Sequence, residues 1–193
     1  MESIPGQPDM LLHGVEVGQF SDCVAISAPL VPDTNLPMLI IRVEIMQQVL
    51  LEGGFLTRGA ITKGKLYQQG HTVIGPALIE AVEMEKTARF PRVVLSQAIL
   101  DDLQNWPTKA AIKFDNNYSY IDYITRWSLV HSQSRIEMVK KIVEYGLNNS
   151  SLYDKPKYEW LAKKYNELID NAISLNSQYR HLSKIVIPSL TAK

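Results

Sequence analysis

The residues best suited to chemistry are a carboxylate in a turn between apolar stretches and a glycine–proline pair at the head of a helix. Phe20-Ser21-Asp22 stands in the middle of a stretch rich in Val, Ile and Leu, from Leu11 to Ser27. A carboxylate at such a tip can stay partly dry while pointing outward, which is how a hard cation such as Mg²⁺ or Mn²⁺ is held. Aspartate is also a favoured turn residue, so the local sequence serves either role. The second group is Arg58 on a strand candidate, Lys63 and Gly64 in the turn behind it, and Gly75 ahead of Pro76. Unpaired backbone amides at that helix N-terminus favour phosphate oxygens. Basic residues, amides and a metal carboxylate together suit a nucleoside triphosphate, although none is specific when taken singly.

Other reactive residue types offer less. His13, His71, His131 and His181 are scattered, without the spacing of a helical metal motif, and read as surface or lightly buried side chains. Cys23 follows Asp22 on a strand, so alternation turns it to the opposite face, where a small core residue is expected rather than a nucleophile. Trp106, Trp127 and Trp160 read as core or interface anchors. The chain contains no GxSxG, Walker loop or GxGxxG.

The elements that position these residues follow from punctuation and periodicity. Pro5, Gly6 and Pro8 make 1–10 a loose lead-in. Leu11 to Ser27 predicts two strands, or one bent hairpin, with its turn at Ser21-Asp22. Asp33, Thr34 and Asn35 are helix N-caps ahead of Pro37, and Leu39, Val43, Met46 and Leu50 share one face of a helix ended by Gly53-Gly54. Strands are predicted over Phe55–Thr62, near Val73-Ile74 and over Arg92–Leu95, with a helix after Gly75-Pro76 that puts Leu78, Ala81, Val82 and Glu85 on one side. Ala110–Tyr123 predicts a hairpin around Asp115-Asn116-Asn117. From Ser132 a helix carries Ile136, Val139 and Val143 in register with Gly146 as its stop, and a last helix after Pro156 turns Trp160, Leu161, Leu168 and Ala172 inward. Strands first and helices last predict an α+β fold, with a domain over 1–130 and a C-terminal helical extension over 131–193.

Composition sets the outer bounds. Twenty basic residues balance twenty acidic ones, which removes the electrostatic case for nucleic-acid binding. A hydrophobic fraction of 46% supplies a core and argues against disorder. A single cysteine excludes a disulfide framework and fits a reducing cytoplasm. The first residues lack the basic and apolar regions of a signal peptide. The most apolar stretch, Pro37–Leu51, is interrupted by Arg42, Glu44, Gln47 and Gln48, so no membrane span is expected.

In order and spacing, FSDCVAIS, a helix ending in Gly-Gly, FLTRGAITKGKLY and VIGPALIEAVEMEKTARFPRVVLS resemble the class III nucleotidyl cyclase homology domain, closest to the pyrimidine cyclases of the bacterial Pycsar antiphage system. FDNNYSYIDYI and KYEWLAKKYNELI resemble the tails of those proteins, and the similarity runs from Gly14 to Asn166. The resemblance implies a ferredoxin-like domain with an antiparallel sheet and helices, working as a homodimer with shared active sites. It implies conversion of UTP or CTP to a 3′,5′-cyclic nucleotide that activates an effector: the ribose 3′-hydroxyl attacks the α-phosphate and pyrophosphate leaves. Two Mg²⁺ or Mn²⁺ ions held by two aspartates assist. Asp22 matches the second of those aspartates, and Arg58 matches the arginine that opens the next strand. Ser21, Arg58, Lys63 and Gly75 are the implied substrate-binding residues.

Two departures qualify the match. The family's first metal aspartate lies in an opening strand upstream of the hairpin, and here only Asp9 and Glu16 precede Asp22 among carboxylates apart from Glu2. Either that strand is encoded upstream or separately, or its place is filled by rearrangement or by a partner. Ile79 and Glu83 stand where adenylyl and guanylyl cyclases carry an Asn and an Arg, a position at which the Pycsar-like subgroup also departs. The other readings are a catalytically incompetent cyclase-like protein that binds nucleotide or regulates a partner, and an α+β interaction domain without a nucleotide site.

Overall fold

Branched residues flanking a two-residue turn produce the first hairpin. In the computed structural model, β1 (Glu16–Phe20) and β2 (Cys23–Ser27) pair antiparallel, with Phe20 opposite Cys23 and Glu16 opposite Ser27. The structure describes residues 14–31, 33–70, 72–115, 118–125, 133–175 and 177–188. The lead-in over 1–10, His13, His71, the turn residues Asn116 and Asn117, Trp127 and His131 lie outside the described residues. No described helix is long and apolar enough to cross a membrane.

Helix α1 (Asn35–Glu52) follows, as its caps predict. It ends at Gly54, whose φ of +82° lets the amides of Gly54 and Phe55 bond the carbonyls of Leu51 (2.8 Å) and Leu50 (2.8 Å). This is the Schellman arrangement, which satisfies terminal carbonyls through a left-handed glycine. The buried stripe of α1 is not the apolar one the spacing predicts. Leu39, Met46 and Leu50 are only half-buried, while Ile40, Val43, Glu44, Gln47, Gln48 and Leu51 are buried. The glutamines bond through their amide nitrogens: Gln48 Nε2 donates to the Tyr123 carbonyl at 3.1 Å, and Gln47 Nε2 to Thr57 Oγ1 at 3.4 Å, while Gln47 Oε1 is buried without a partner among the described residues.

The remaining elements are β3 (Gly59–Ile61), β4 (Tyr67–Gln69), β5 (Thr72–Ile74), α2 (Pro76–Thr87), β6 (Val93–Leu95), α3 (Gln97–Asp102), β7 (Ile112–Asp115), β8 (Tyr118–Ile121), α4 (Gln133–Asn149) and α5 (Lys155–Leu175). The chain divides into two units, each assembled from separate stretches. One takes residues 1–45, 59–87 and 93–121; the other takes 46–58, 88–92 and 122–193.

The first unit holds a four-stranded sheet in the order β3-β6-β8-β7, together with two-stranded sheets β1-β2 and β4-β5. The larger sheet is mixed rather than wholly antiparallel. β3 and β6 run parallel because α2 lies between them in the chain, and parallel neighbours need such a crossover. β6 is central and buried along its whole length, as its Val-Val-Leu run requires. Ser96 then caps α3, its Oγ accepting from the Ile99 amide at 3.4 Å. Ile99 from this short helix and Leu103 just after it join Val94, Tyr120 and Ile121 among the buried residues. On α2 the inward side is Ala77, Leu78, Ala81 and Glu85, whereas Val82 is 45% exposed.

The second unit is built on α4 and α5. Ile136, Val139, Val143 and Leu147 form the buried stripe of α4, and Trp160, Leu161, Tyr165, Leu168, Ile169 and Ala172 that of α5. Gly146 does not stop α4, which continues to Asn149. Its role is closeness: a Cβ there would overlap the ring of Tyr158. Phe90 stacks on Trp160 with centroids 5.7 Å apart and an 8° interplanar angle, and Arg92 lies 5.5 Å over the other ring partner, Phe90.

Candidate functional site

The tip of the β1–β2 hairpin sets the geometry of Asp22. With Phe20 and Cys23 paired, only Ser21 and Asp22 remain to turn the chain, and Ser21 takes a φ of +54°. A positive φ at the first central residue matches the type II′ turn, which suits the twist of a two-residue hairpin and usually selects glycine. Ser21 and Asp22 are both exposed. Gln19 Nε2 donates to the Ser21 carbonyl at 3.4 Å.

Cys23 is exposed, not the core residue that strand alternation predicts. The reason is that β1 and β2 form a sheet of their own, so both faces of the hairpin tip meet solvent. Its Sγ lies 3.8 Å from Asp22 Oδ1. Partial burial pushes the Cys23 thiol up from its ordinary pKa, and the carboxylates of Asp22 and Glu85 push it further in the same direction. Glu85 on α2 therefore acts electrostatically on the same tip, a relationship that sequence reading did not connect. Both carboxylates disfavour a thiolate at this position.

The other predicted residues follow their expected elements. Arg58 is exposed and immediately precedes β3; it belongs to the second unit, whereas Ser21, Asp22, Lys63 and Gly75 belong to the first. Lys63 sits in the segment after β3, where its Nζ donates to Asp102 Oδ2 at 2.6 Å. Asp102 is a second residue that sequence reading missed, since it lies 39 positions away at the end of α3.

Gly75 opens α2 with a φ of +153°, and a Cβ there would strike the Lys65 carbonyl and Leu66 Cα. The position admits only glycine because the Lys65 strand connection passes so close. The sequence predicts unpaired amides behind it, but those amides are paired. Ala77 N donates to the Lys65 carbonyl at 3.4 Å, and Leu78 N and Ile79 N donate to the Gly75 carbonyl at 3.2 and 3.4 Å. These bonds are long, yet they direct the first turn's donors at the protein's own carbonyls.

A divalent ion fits this arrangement only in part. Asp22 offers one exposed carboxylate, and hard cations take oxygen ligands. No group of three or more His, Cys, Asp or Glu side chains able to hold a metal occurs among the described residues. Of the two aspartates that the resemblance implies for two metal ions, only the position of Asp22 falls among the described residues.

Comparison of the chain with protein-family models, with curated proteins and with solved structures finds no match.

Proposed function

We propose that the chain is a class III nucleotidyl cyclase-like protein of a bacterial antiphage signalling system, taking UTP or CTP as substrate in the cytoplasm. The observation that carries the reading is the Ser21-Asp22 tip: an exposed carboxylate held by an in-register hairpin. In the proposed reaction the ribose 3′-oxygen bonds to the α-phosphorus, the bond to the β-phosphate oxygen breaks, and the hydroxyl proton passes to solvent. The products are a 3′,5′-cyclic nucleotide, for a downstream effector, and pyrophosphate. Mn²⁺ or Mg²⁺ would neutralise the leaving group, with Asp22 as one ligand. Ser21, Arg58, Lys63 and Gly75 are the proposed substrate contacts, and a homodimer is the proposed working form.

A second reading is a nucleotide-binding or regulatory protein without turnover. The ion pair between Lys63 and Asp102 favours it, because a cation meant for phosphate is already engaged.

One experiment separates the two. The purified chain is incubated with each of the four ribonucleoside triphosphates and Mn²⁺, and the products are resolved by chromatography. A cyclic pyrimidine nucleotide with pyrophosphate, lost in Asp22→Ala, supports the cyclase. Saturable triphosphate binding without product supports the second reading. Neither product nor binding, in a folded sample, removes both.

A further inference from the structure

Strand β7 is an edge of the four-stranded sheet, and among the described residues β8 is the strand that pairs with it. The Ile112 amide donates to the Lys109 carbonyl rather than across the ladder. Antiparallel bonds alternate from one residue to the next, so the N–H and C=O of Phe114, two positions on, also face the open edge. Such an edge is a template for another strand.

The side chains limit what that strand can be. Phe114 is 73% exposed in the middle of the edge, with exposed Lys113 before it and half-buried Asp115 after it. When Phe114 stands opposite Phe114 of a second, antiparallel copy, Lys113 of each copy stands opposite Asp115 of the other. Two-fold symmetry makes that contact twice, and opposed charges on facing residues stabilise a strand pair. Antiparallel registers that set Lys113 against Lys113, or Asp115 against Asp115, bring like charges together, as does in-register parallel pairing. Lysine on an edge strand deters foreign strands, and the aspartate two residues later makes this edge acceptable to itself.

The sheet face agrees with that register. Phe114 is paired with Ser119, so the two share a face, and both line a depression of about 330 Å³ with Leu100, Leu103 and Ile112. Directly opposed side chains also share a face, with Cβ atoms about 4.5–5.5 Å apart. The Phe114 ring of each copy therefore meets the ring of the other beside an apolar hollow.

We infer that β7 is a self-association surface, pairing antiparallel about Phe114 with β7 of a second copy and joining the two sheets into one. The contact is small, so the dimer is weak and reversible. The inference does not rest on the proposed cyclase activity, since it uses none of the residues assigned there.

Sedimentation equilibrium of the full chain across the micromolar range tests it, with thermal melts to confirm that each variant is folded. The parent should dimerise reversibly. Phe114→Ala removes two facing rings from each dimer and should weaken association by about 10-fold or more. Lys113→Asp sets Asp against Asp115, and Asp115→Lys sets Lys113 against Lys, so each variant alone should be monomeric. Mixed in equal amounts, these two variants regain both opposite-charge pairs and should form a one-to-one heterodimer. A parent that stays monomeric overturns the inference and leaves the edge to a strand of some other protein. A dimer that persists in both charge variants overturns it too, since that dimer forms elsewhere on the chain. So does a mixture of the two that remains monomeric.

Discussion

The ring of Tyr158 occupies the space that a side chain on Gly146 would need, so α4 and α5 approach at a point where only hydrogen is tolerated. Gly146→Ala should therefore destabilise the second unit by about 1–3 kcal/mol, the usual cost of forcing a methyl into a packed contact. Chemical denaturation measures it. Pairing the change with Tyr158→Ala should recover part of the loss, because neighbouring substitutions are not additive. Additive losses would mean that the two residues do not meet in solution.

The Lys63–Asp102 pair gives a functional prediction. If Lys63 serves a triphosphate, Asp102→Asn releases it and should tighten UTP or CTP binding several-fold at low salt, with less effect as salt screens the charge. Isothermal titration at two salt concentrations reads this directly. Unchanged affinity at both would take Lys63 out of the proposed site.

Tyr165 gives the pH dependence. Burial, followed by the carboxylates of Glu144 and Glu137, raises its phenol from the ordinary value of 10.0 to about 12. The folded state thus keeps the proton that the unfolded chain loses first. Its contribution is complete below pH 10 and is lost as the pH rises towards 12. Urea midpoints should fall over that interval, and fall less in Tyr165→Phe. Near neutral pH that variant should match or exceed the parent, since the Tyr165 hydroxyl is buried without a partner among the described residues.

Asn166 holds the end of the described chain. Its Nδ2 donates to the Ile185 carbonyl at 3.0 Å, and its Oδ1 accepts from the Ile185 amide at 2.8 Å, so a side chain imitates one rung of a β-ladder. Asn166→Ala should cost about 1–3 kcal/mol by stranding two backbone groups. Hydrogen exchange should show faster exchange around Ile185. Equal protection in variant and parent would refute this anchoring role.

What could be read from the sequence was local. The Ser21-Asp22 turn, the Gly53-Gly54 end of α1, the Gly75-Pro76 start of α2 and the inward stripe of α5 are set by neighbours a few residues away. The buried glutamines of α1 were not legible, because Gln48 finds its acceptor at Tyr123, 75 positions along the chain. Gly146 was misjudged for the same reason: in sequence it resembles a helix stop, and only Tyr158 explains it. Short α3 escaped notice because six residues give too few turns for a period to show. At the candidate site, the hairpin tip was visible, but the reach of Glu85 and the Asp102 partner of Lys63 depend on how separate elements meet.

The way the second unit is stitched together has a consequence for the order in which the chain can fold as it is made. The first unit is complete once residue 121 has been synthesised, and its sheet can form at that stage. The end of α1 and the segment 88–92 are made early but must wait. Glu52 pairs with Arg135, whose Nε donates to it at 2.6 Å, and Phe90 stacks on Trp160. Until α4 and α5 leave the ribosome, Glu52 lacks its ion-pair partner and Phe90 lacks the ring it stacks on. A nascent chain stalled shortly after residue 121 would thus carry both a finished sheet and an uncovered Phe90 ring, the kind of intermediate that chaperones recognise.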